Sequence, residues 1–314
     1  MTEEVVVENT EGCRVDKYIS EYLELFTRSQ IKNRNVTVKI NGAEAKLSRK
    51  VFSGDFVEIN YTEAESIDVY PEEIPLEILF ENKDVIVLNK TQGVVVHPAP
   101  GNYHKTLVQG LMYYLNDLGR NFPGEAVRPG VVHRLDKDTS GVIIAAKNPG
   151  ALEFLANQFR EKTTEKKYVA IVRGRLKKSS GRIESYITRD RKDRKKFTVS
   201  ESKGKYACTE YTAVRRMETA SLAVLSPKTG RTHQLRVHML SIGNPIVGDP
   251  VYGRTSKSFP GCSLMLHAAK LTILLPGEKE PSTFYAPIPG RFTKFLKDNL
   301  NSFDLHPDDI REYL

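Results

Sequence analysis

His133-Arg134-Leu135-Asp136-Lys137-Asp138-Thr139-Ser140-Gly141 is preceded by Gly130-Val131-Val132 and followed by Val142-Ile143-Ile144-Ala145-Ala146. Two short β-favouring runs bounded by polar residues and Gly predict strands around a sharp connection. That connection holds an Arg, two Asp and a Lys, so charge sits at the mouth of a buried sheet. Ligand sites are often built this way, with reactive groups on a loop held by a rigid scaffold. Read on local chemistry alone, the simpler alternative is a charged hairpin tip whose Asp and Thr satisfy nearby backbone donors.

Working outward, residues 85–88 and 94–96 read as a pair of strands around a Gly-containing turn, and 106–118 and 151–162 have helical periodicity. Further strands are predicted at 168–172, 206–214, 222–225 and 264–275. A helix is predicted at 232–242, with Thr232 as its candidate cap, and another at 291–300. Strands outnumber helices and do not alternate with them regularly. The expected class is therefore α+β, a mixed, largely antiparallel sheet with flanking helices, and not a doubly wound parallel sheet.

The first 60 residues form a module of their own. Val15, Ile19, Tyr22, Leu23 and Phe26 recur at helical spacing, and Thr27-Arg28-Ser29 precedes a second short helix near Ile31. Val36-Thr37-Val38-Lys39-Ile40 alternates as a strand and meets Asn41-Gly42, a strong hairpin signal, before a last strand at 56–59. Residues 61–75 are acidic, Pro-containing and poor in apolar side chains, and read as a linker. Residues 76–314 then make the main domain.

Formal charge is uneven along the chain. The net value is +8, yet residues 1–60 carry −1 and 61–80 carry −6, whereas 160–216 alone carries +12. A surplus this dense fits a polyanion track, although charge runs are often only solvated loops. Tyr168, Tyr186, Phe197, Tyr206 and Tyr211 punctuate the same stretch as stacking faces, which favours RNA as the polyanion.

Other chemistries are poorly served. No apolar run approaches the ~18 residues that span a bilayer, and Val5-Val6-Val7 is too short for a secretion signal. Cys13, Cys208 and Cys262 are far apart, without disulfide or zinc spacing, so the cytoplasm is the expected compartment. His233 and His238 stand five apart without a His-Glu-x-x-His frame, and read as structural or supporting residues. Ser140 is not in a hydrolase elbow, and no phosphate-binding Gly-Lys-Ser/Thr loop is present.

Three segments in order resemble the RluA-type pseudouridine synthases: His133-Arg134-Leu135-Asp136 with Thr139-Ser140-Gly141; Lys167-Tyr168; and Gly230-Arg231-Thr232-His233-Gln234-Leu235-Arg236 continuing to Gly248-Asp249-Pro250-Val251-Tyr252-Gly253. The upstream Asn89-Lys90-Thr91-Gln92-Gly93 departs from the pattern, which usually has Pro after the Lys. Residues 12–60 resemble the small RNA-binding domain first described in ribosomal protein S-four, on Arg14-Val15-Asp16-Lys17, Arg28-Ser29, Asn41-Gly42 and Gly54-Asp55. Arg28 and Lys32 are its candidate RNA contacts.

The resemblance implies an RNA isomerase that needs no cofactor and no metal. Local chemistry does not separate Asp136 from Asp138 as nucleophile; the motif implies Asp136. It implies an ion pair between Asp136 and Arg231, Tyr168 as the aromatic face under the uracil, and Arg134 as the side chain that enters the space left by a flipped base. Arg128-Pro129-Gly130 and Pro245 to Gly253 look closest to the RluD branch, which implies large-subunit ribosomal RNA, free or in a pre-ribosomal particle, as substrate and partner; no membrane partner is expected, and a monomer is favoured with the oligomeric state left open. The reading from a different class is a non-catalytic RNA-binding or ribosome-assembly factor on the same scaffold.

Overall fold

Two units divide the chain, Met1–Ile67 and Asp68–Leu314. The computed structural model describes all residues except 9, 24, 27–30, 32–33, 63–68, 100, 117, 123–128, 191, 194–195, 254–258 and 301–309. Arg28 and Lys32, the candidate RNA contacts of the first module, lie outside the described residues.

In the first unit, β1 (Thr2–Val6), β3 (Thr37–Ile40), β4 (Ala43–Ala45) and β6 (Phe56–Asn60) form an antiparallel sheet in the order β1-β6-β3-β4, while β2 (Cys13–Arg14) pairs with β5 (Lys50–Val51). Asn41 and Gly42 both take positive φ, 52° and 80°. A two-residue turn needs this to match strand twist, and the hairpin forms as the dipeptide predicted. Where periodicity predicted one long helix, a three-residue α1 (Val15–Lys17) runs into a wider π-helical turn, with the Leu23 amide donating to the Tyr18 carbonyl. Val5 and Val6 of the apolar triplet near the N-terminus end strand β1, which pairs along its length with β6.

The second unit holds β7 (Ile78–Glu81), β8 (Val85–Lys90), α2 (Leu107–Leu115), α3 (Leu118–Asn121), β9 (Ser140–Ala146), α4 (Pro149–Glu161), β10 (Glu165–Arg173), β11 (Ser180–Arg189), β12 (Phe197–Ser200), β13 (Lys205–Arg216), β14 (Ala220–Pro227), α5 (Gln234–Ser241), β15 (Leu266–Ile273), β16 (Ser282–Tyr285) and α6 (Gly290–Leu300). Its sheet runs β12-β11-β13-β14-β10-β15-β9-β8-β7, with β16 added on β15. Every pairing is antiparallel except β15 with β9. The class is the α+β expected. Among the described residues, no helix is long and apolar enough to cross a membrane.

That parallel pairing is the seam on which the site is built. One edge of β15 is covered by β10; the other is shared, with β9 opposite His267 and Ala268 and β16 opposite Lys270 to Ile273. One core lies among β10, β13, β14, α5 and α6, and a second among β8, β9, α2 and α4; Tyr168 packs against both. All seven residues of β9 are buried, as a strand covered on both faces requires.

Several expectations are corrected. Residues 94–96 form no strand: the Val95 and Val96 carbonyls accept the Leu107 and Val108 amides that open α2, and the Val94 carbonyl accepts the Lys90 ammonium. Val131 makes only an isolated bridge to Ala145, so the signature loop joins a coil to a strand. The second half of the acidic segment differs from a free tether. Glu72 takes the side chains of His104 and Gln109 and the Lys105 amide, and Ile74 fills the space beside Gly110.

Candidate active site

The loop before β9 is pinned at nearly every residue. The Asp136 carbonyl accepts the Thr139 amide at 3.1 Å, and the Lys137 carbonyl accepts the Gly93 amide at 2.9 Å. Gln92, standing where the family pattern has its turn, donates to the Asp138 carbonyl at 2.8 Å and the Leu264 carbonyl at 2.9 Å. Lys90 is fully buried and gives its ammonium hydrogens to the carbonyls of Thr91, Val94 and Lys137 at 3.0, 2.8 and 3.1 Å. Burial draws its pKa down to about 7, opposed by Asp138 and Asp136; three carbonyls matched to three N–H donors favour the charged form as well. Leu135 and Thr139 turn inward, leaving Asp136 half-buried between them and Arg134 exposed.

Tyr168 reaches the same place by sheet register. Gly141 pairs with Ala268 across the seam, and Ala268 pairs with Tyr168 on β10. The register slips at Lys167/Tyr168, a bulge that re-aims the ring. Burial, then the charge of Asp136, pushes the Tyr168 hydroxyl well above its usual pKa, so it stays protonated.

The third wall is the stretch 229–236. Gln234 is fully buried and fully bonded: its amide donates to the Cys208 carbonyl and Thr209 hydroxyl, and its carbonyl accepts from the Thr229 hydroxyl and the Arg231 amide. It therefore closes the turn ahead of α5, and the cap expected at Thr232 falls one residue later. The residue capping α5 is His233, in the left-handed region at φ 57°.

The expected Asp136–Arg231 pair is not formed. Arg231 precedes the helix, and its Nε donates outward to the Tyr206 carbonyl at 3.0 Å. Arg236, inside the first turn of α5 and 4% exposed, takes that place, with Nη1 at 3.4 Å from Asp136 Oδ2. Its Nε and Nη2 donate to Oδ2 and Oδ1 of the buried Asp249 carboxylate, two hydrogen bonds of 2.7 Å each. Burial opposes the Arg236 charge, but the bonds to Asp249 and the charges of Asp249 and Asp136 outweigh it and raise its pKa. Asp249 is held below its usual pKa because Arg236 and the Val251 and Tyr252 amides outweigh its burial. The sequence carried a usable signal: an Arg inside an apolar helix must be paired, and an Asp stands in Gly248-Asp249-Pro250.

His233 also lines the site, beside the carboxylate it was expected to support. Its Nδ1 meets the Tyr252 hydroxyl at 2.8 Å, and its Nε2 lies 3.8 Å from Asp136 Oδ2. Phe197 stands edge-on to its ring. Burial lowers the His233 pKa, Arg236 adds to this, and Asp136 opposes it.

These walls enclose about 140 Å³, lined by Asp136, Tyr168, Arg134, Arg231, His233 and Arg236 among others. A cavity of about 150 Å³ admits a benzene ring, so this one has the size for a single pyrimidine. It combines a carboxylate, a buried cation, a protonated phenol and an aromatic face. Of the expected catalytic residues, Asp136 and Tyr168 come together, and Arg231 lines the same cavity without touching the carboxylate.

The family model for RNA pseudouridylate synthases matches residues 84–241. The chain is 48% identical to ribosomal large subunit pseudouridine synthase D of Borreliella burgdorferi, over 94% of this chain and 92% of the relative. It is 40% identical to the uncharacterized RNA pseudouridine synthase YlyB of Bacillus subtilis, over 93% and 95%. Among solved structures, human RNA pseudouridylate synthase domain containing 1 is similar with a TM-score of 0.55 and 29% identity, over 72% of this chain and 86% of that one. On sequence and fold together, the chain belongs to the RNA pseudouridylate synthase family, the isomerases that turn uridine into pseudouridine in RNA.

Proposed function

We propose that this enzyme isomerises uridines of large-subunit ribosomal RNA, with Asp136 as the nucleophile. The observation that carries the reading is a cavity the size of one pyrimidine ring onto which Asp136, Arg236 and Tyr168 all open. The ribosomal substrate is supported by relatives called ribosomal large subunit pseudouridine synthase D, at 48% identity in Borreliella burgdorferi and 37% in Zymomonas mobilis. Ribosomal RNA in turn implies the cytoplasm.

In the reaction, the bond between uracil nitrogen and ribose carbon breaks, the base turns over, and ring carbon five joins the ribose. The proton displaced from that carbon is lost, and the freed nitrogen takes one up, so nothing is oxidised or reduced. Asp136 holds the nucleotide covalently while the base turns, and that bond breaks again in completing the isomerisation, which returns the free carboxylate. Arg236, its Nη1 3.4 Å from Oδ2, holds the carboxylate in position. Tyr168 stacks on the ring and, being protonated, serves as a hydrogen-bond donor to it. Arg134, exposed beside Asp136, occupies the gap left by a flipped base, which costs a few kcal/mol to open. The bases of 160–216 neutralise phosphates along the track.

Tritium release from RNA labelled at uracil carbon five tests the chemistry, and mapping pseudouridines in cells lacking the protein tests the substrate. Asp136→Asn is expected to fold and bind RNA, with release down by more than about a thousandfold. Turnover near wild type would remove Asp136 from the role.

A further inference from the structure

Both donors that approach Asp136 do so at one oxygen. Arg236 Nη1 lies 3.4 Å from Oδ2 and His233 Nε2 lies 3.8 Å from the same atom. Among the described residues, no side-chain donor is bonded to Oδ1. Carboxylate oxygens are equivalent in solution, so a site that holds one of them has chosen the other for reaction.

Whether His233 donates depends on its tautomer, and the surrounding bonds set it. The Phe197 amide donates to the Tyr252 hydroxyl oxygen at 2.9 Å, an amide having no acceptor to give. The Tyr252 hydroxyl hydrogen then needs an acceptor, and its remaining partner is His233 Nδ1 at 2.8 Å. With Nδ1 accepting, the neutral imidazole carries its hydrogen on Nε2, the atom that faces Asp136. Burial and the adjacent Arg236 favour that neutral form. Nor is the ring placed by helix formation alone. His233 sits in the left-handed region at φ 57°, a conformation that costs a side chain energy and persists only where the surroundings impose it.

We infer that His233 is a positioning residue: its tautomer locked by Tyr252, it acts with Arg236 to hold Oδ2 of Asp136 and leaves Oδ1 as the attacking oxygen. The inference rests on Asp136 being the nucleophile. The 3.8 Å separation is longer than a hydrogen bond, and such contacts tighten as the substrate complex forms. His233 thus contributes in the bound complex and little to folding.

Two amides separate the functions of the imidazole. In His233→Asn the amide reproduces Nδ1, keeping the Tyr252 bond in a residue that tolerates the left-handed region, but nothing reaches Asp136. In His233→Gln the longer amide reproduces Nε2 and restores the donor. Single-turnover rates, RNA affinity and thermal midpoints are measured for both, for Tyr252→Phe, and for Asp136→Asn. His233→Asn is expected to keep its midpoint and RNA affinity while the rate at saturating RNA falls about tenfold to a hundredfold, the cost of a misplaced reacting group. His233→Gln recovers much of that rate, and Tyr252→Phe falls between Asn and wild type because its histidine is free to take the other tautomer. Wild-type rates in His233→Asn, equal losses in Asn and Gln, or a loss of midpoint in step with the rate would each overturn the inference. If Asp136→Asn is inactive while His233→Asn is not impaired, the nucleophile stands and only the positioning role falls. An active Asp136→Asn would remove the nucleophile itself.

Discussion

Two arginines five residues apart do different work because one is inside the helix and the other before it. Arg236 is surrounded by Asp249, Asp136 and the Tyr252 ring, with its guanidinium 5.0 Å from the ring centre. Replacing it by Ala leaves the Asp249 charge buried without its partner, a loss of about 3–5 kcal/mol. Among the described residues, Arg231 makes one side-chain bond, to a carbonyl at the cavity edge. Arg231→Ala should cost at most about 1 kcal/mol, weaken RNA binding and spare most single-turnover rate at saturating RNA. Urea unfolding and single-turnover rates of the two variants make the comparison. If Arg231→Ala proves the more damaging of the two to the rate, the pairing of Asp136 with Arg236 is wrong.

At the scale of elements, the site depends on the seam between β9 and β15. Only His267 and Ala268 pair there with Ser140 and Gly141, and the two strands approach so closely that a Cβ on Gly141 would lie 2.1 Å from the Ala268 carbonyl oxygen. Gly141 also takes φ 118°, which side chains rarely adopt. Beneath the seam Arg291 donates to the Ser140 hydroxyl at 2.6 Å, and Ser140 meets His267 Nδ1 at 2.9 Å. Gly141→Ala must therefore part the strands, and Ala268 carries Tyr168 in register on its other side. The expected outcome is a loss of roughly 3 kcal/mol or more together with most of the turnover. A urea midpoint like that of the native protein would show that the seam can open without harm.

At the scale of the molecule, the buried His238 and His267 and the half-buried His133 couple stability to pH. Burial lowers His238 and His267 to about 4 and His133 to about 3. Their folded pKa values lie below the unfolded 6.5, so the unfolded chain binds more protons as pH falls through that window. The stabilisation is whole above about 6.5 and declines towards 4, by about 1.4 kcal/mol per pH unit for each of the fully buried His238 and His267. Urea midpoints between pH 7 and 5, above the range where most carboxylates titrate, should fall steadily, and a flat profile would contradict the buried neutral rings. The same scale carries the division of labour we propose between the two units. Residues 68–314 should fold alone and modify RNA with weaker site selection, and the slope of log affinity against log salt should shrink by only about one to three units. A start at residue 76 should unfold at lower urea, because it discards Glu72 and Ile74 from their places against α2. If the longer piece lost most of its salt dependence, the main RNA track would belong to residues 1–67.

Local chemistry determined much of this protein from the sequence alone. Asn41-Gly42 specified its hairpin through φ, the apolar run 142–146 its buried strand, and the periodicity of 151–162 its helix, since each depends on near neighbours. The loop 133–139 and Tyr168 were legible as candidates because they lie in motifs, and Arg134, Asp136 and Tyr168 line one cavity. The partner of Asp136 was not, because sequence order does not say which Arg of 231–236 falls inside a helical turn. The same holds for 94–96, whose β-favouring side chains were overruled when their carbonyls were needed to open α2 and hold Lys90. Nor does sequence order reveal that two strands more than a hundred residues apart run parallel at two positions, or that Phe197 and Tyr252 set the proton of His233. Those facts arise only when distant backbone groups must all find partners at once, and tertiary structure alone decides which do.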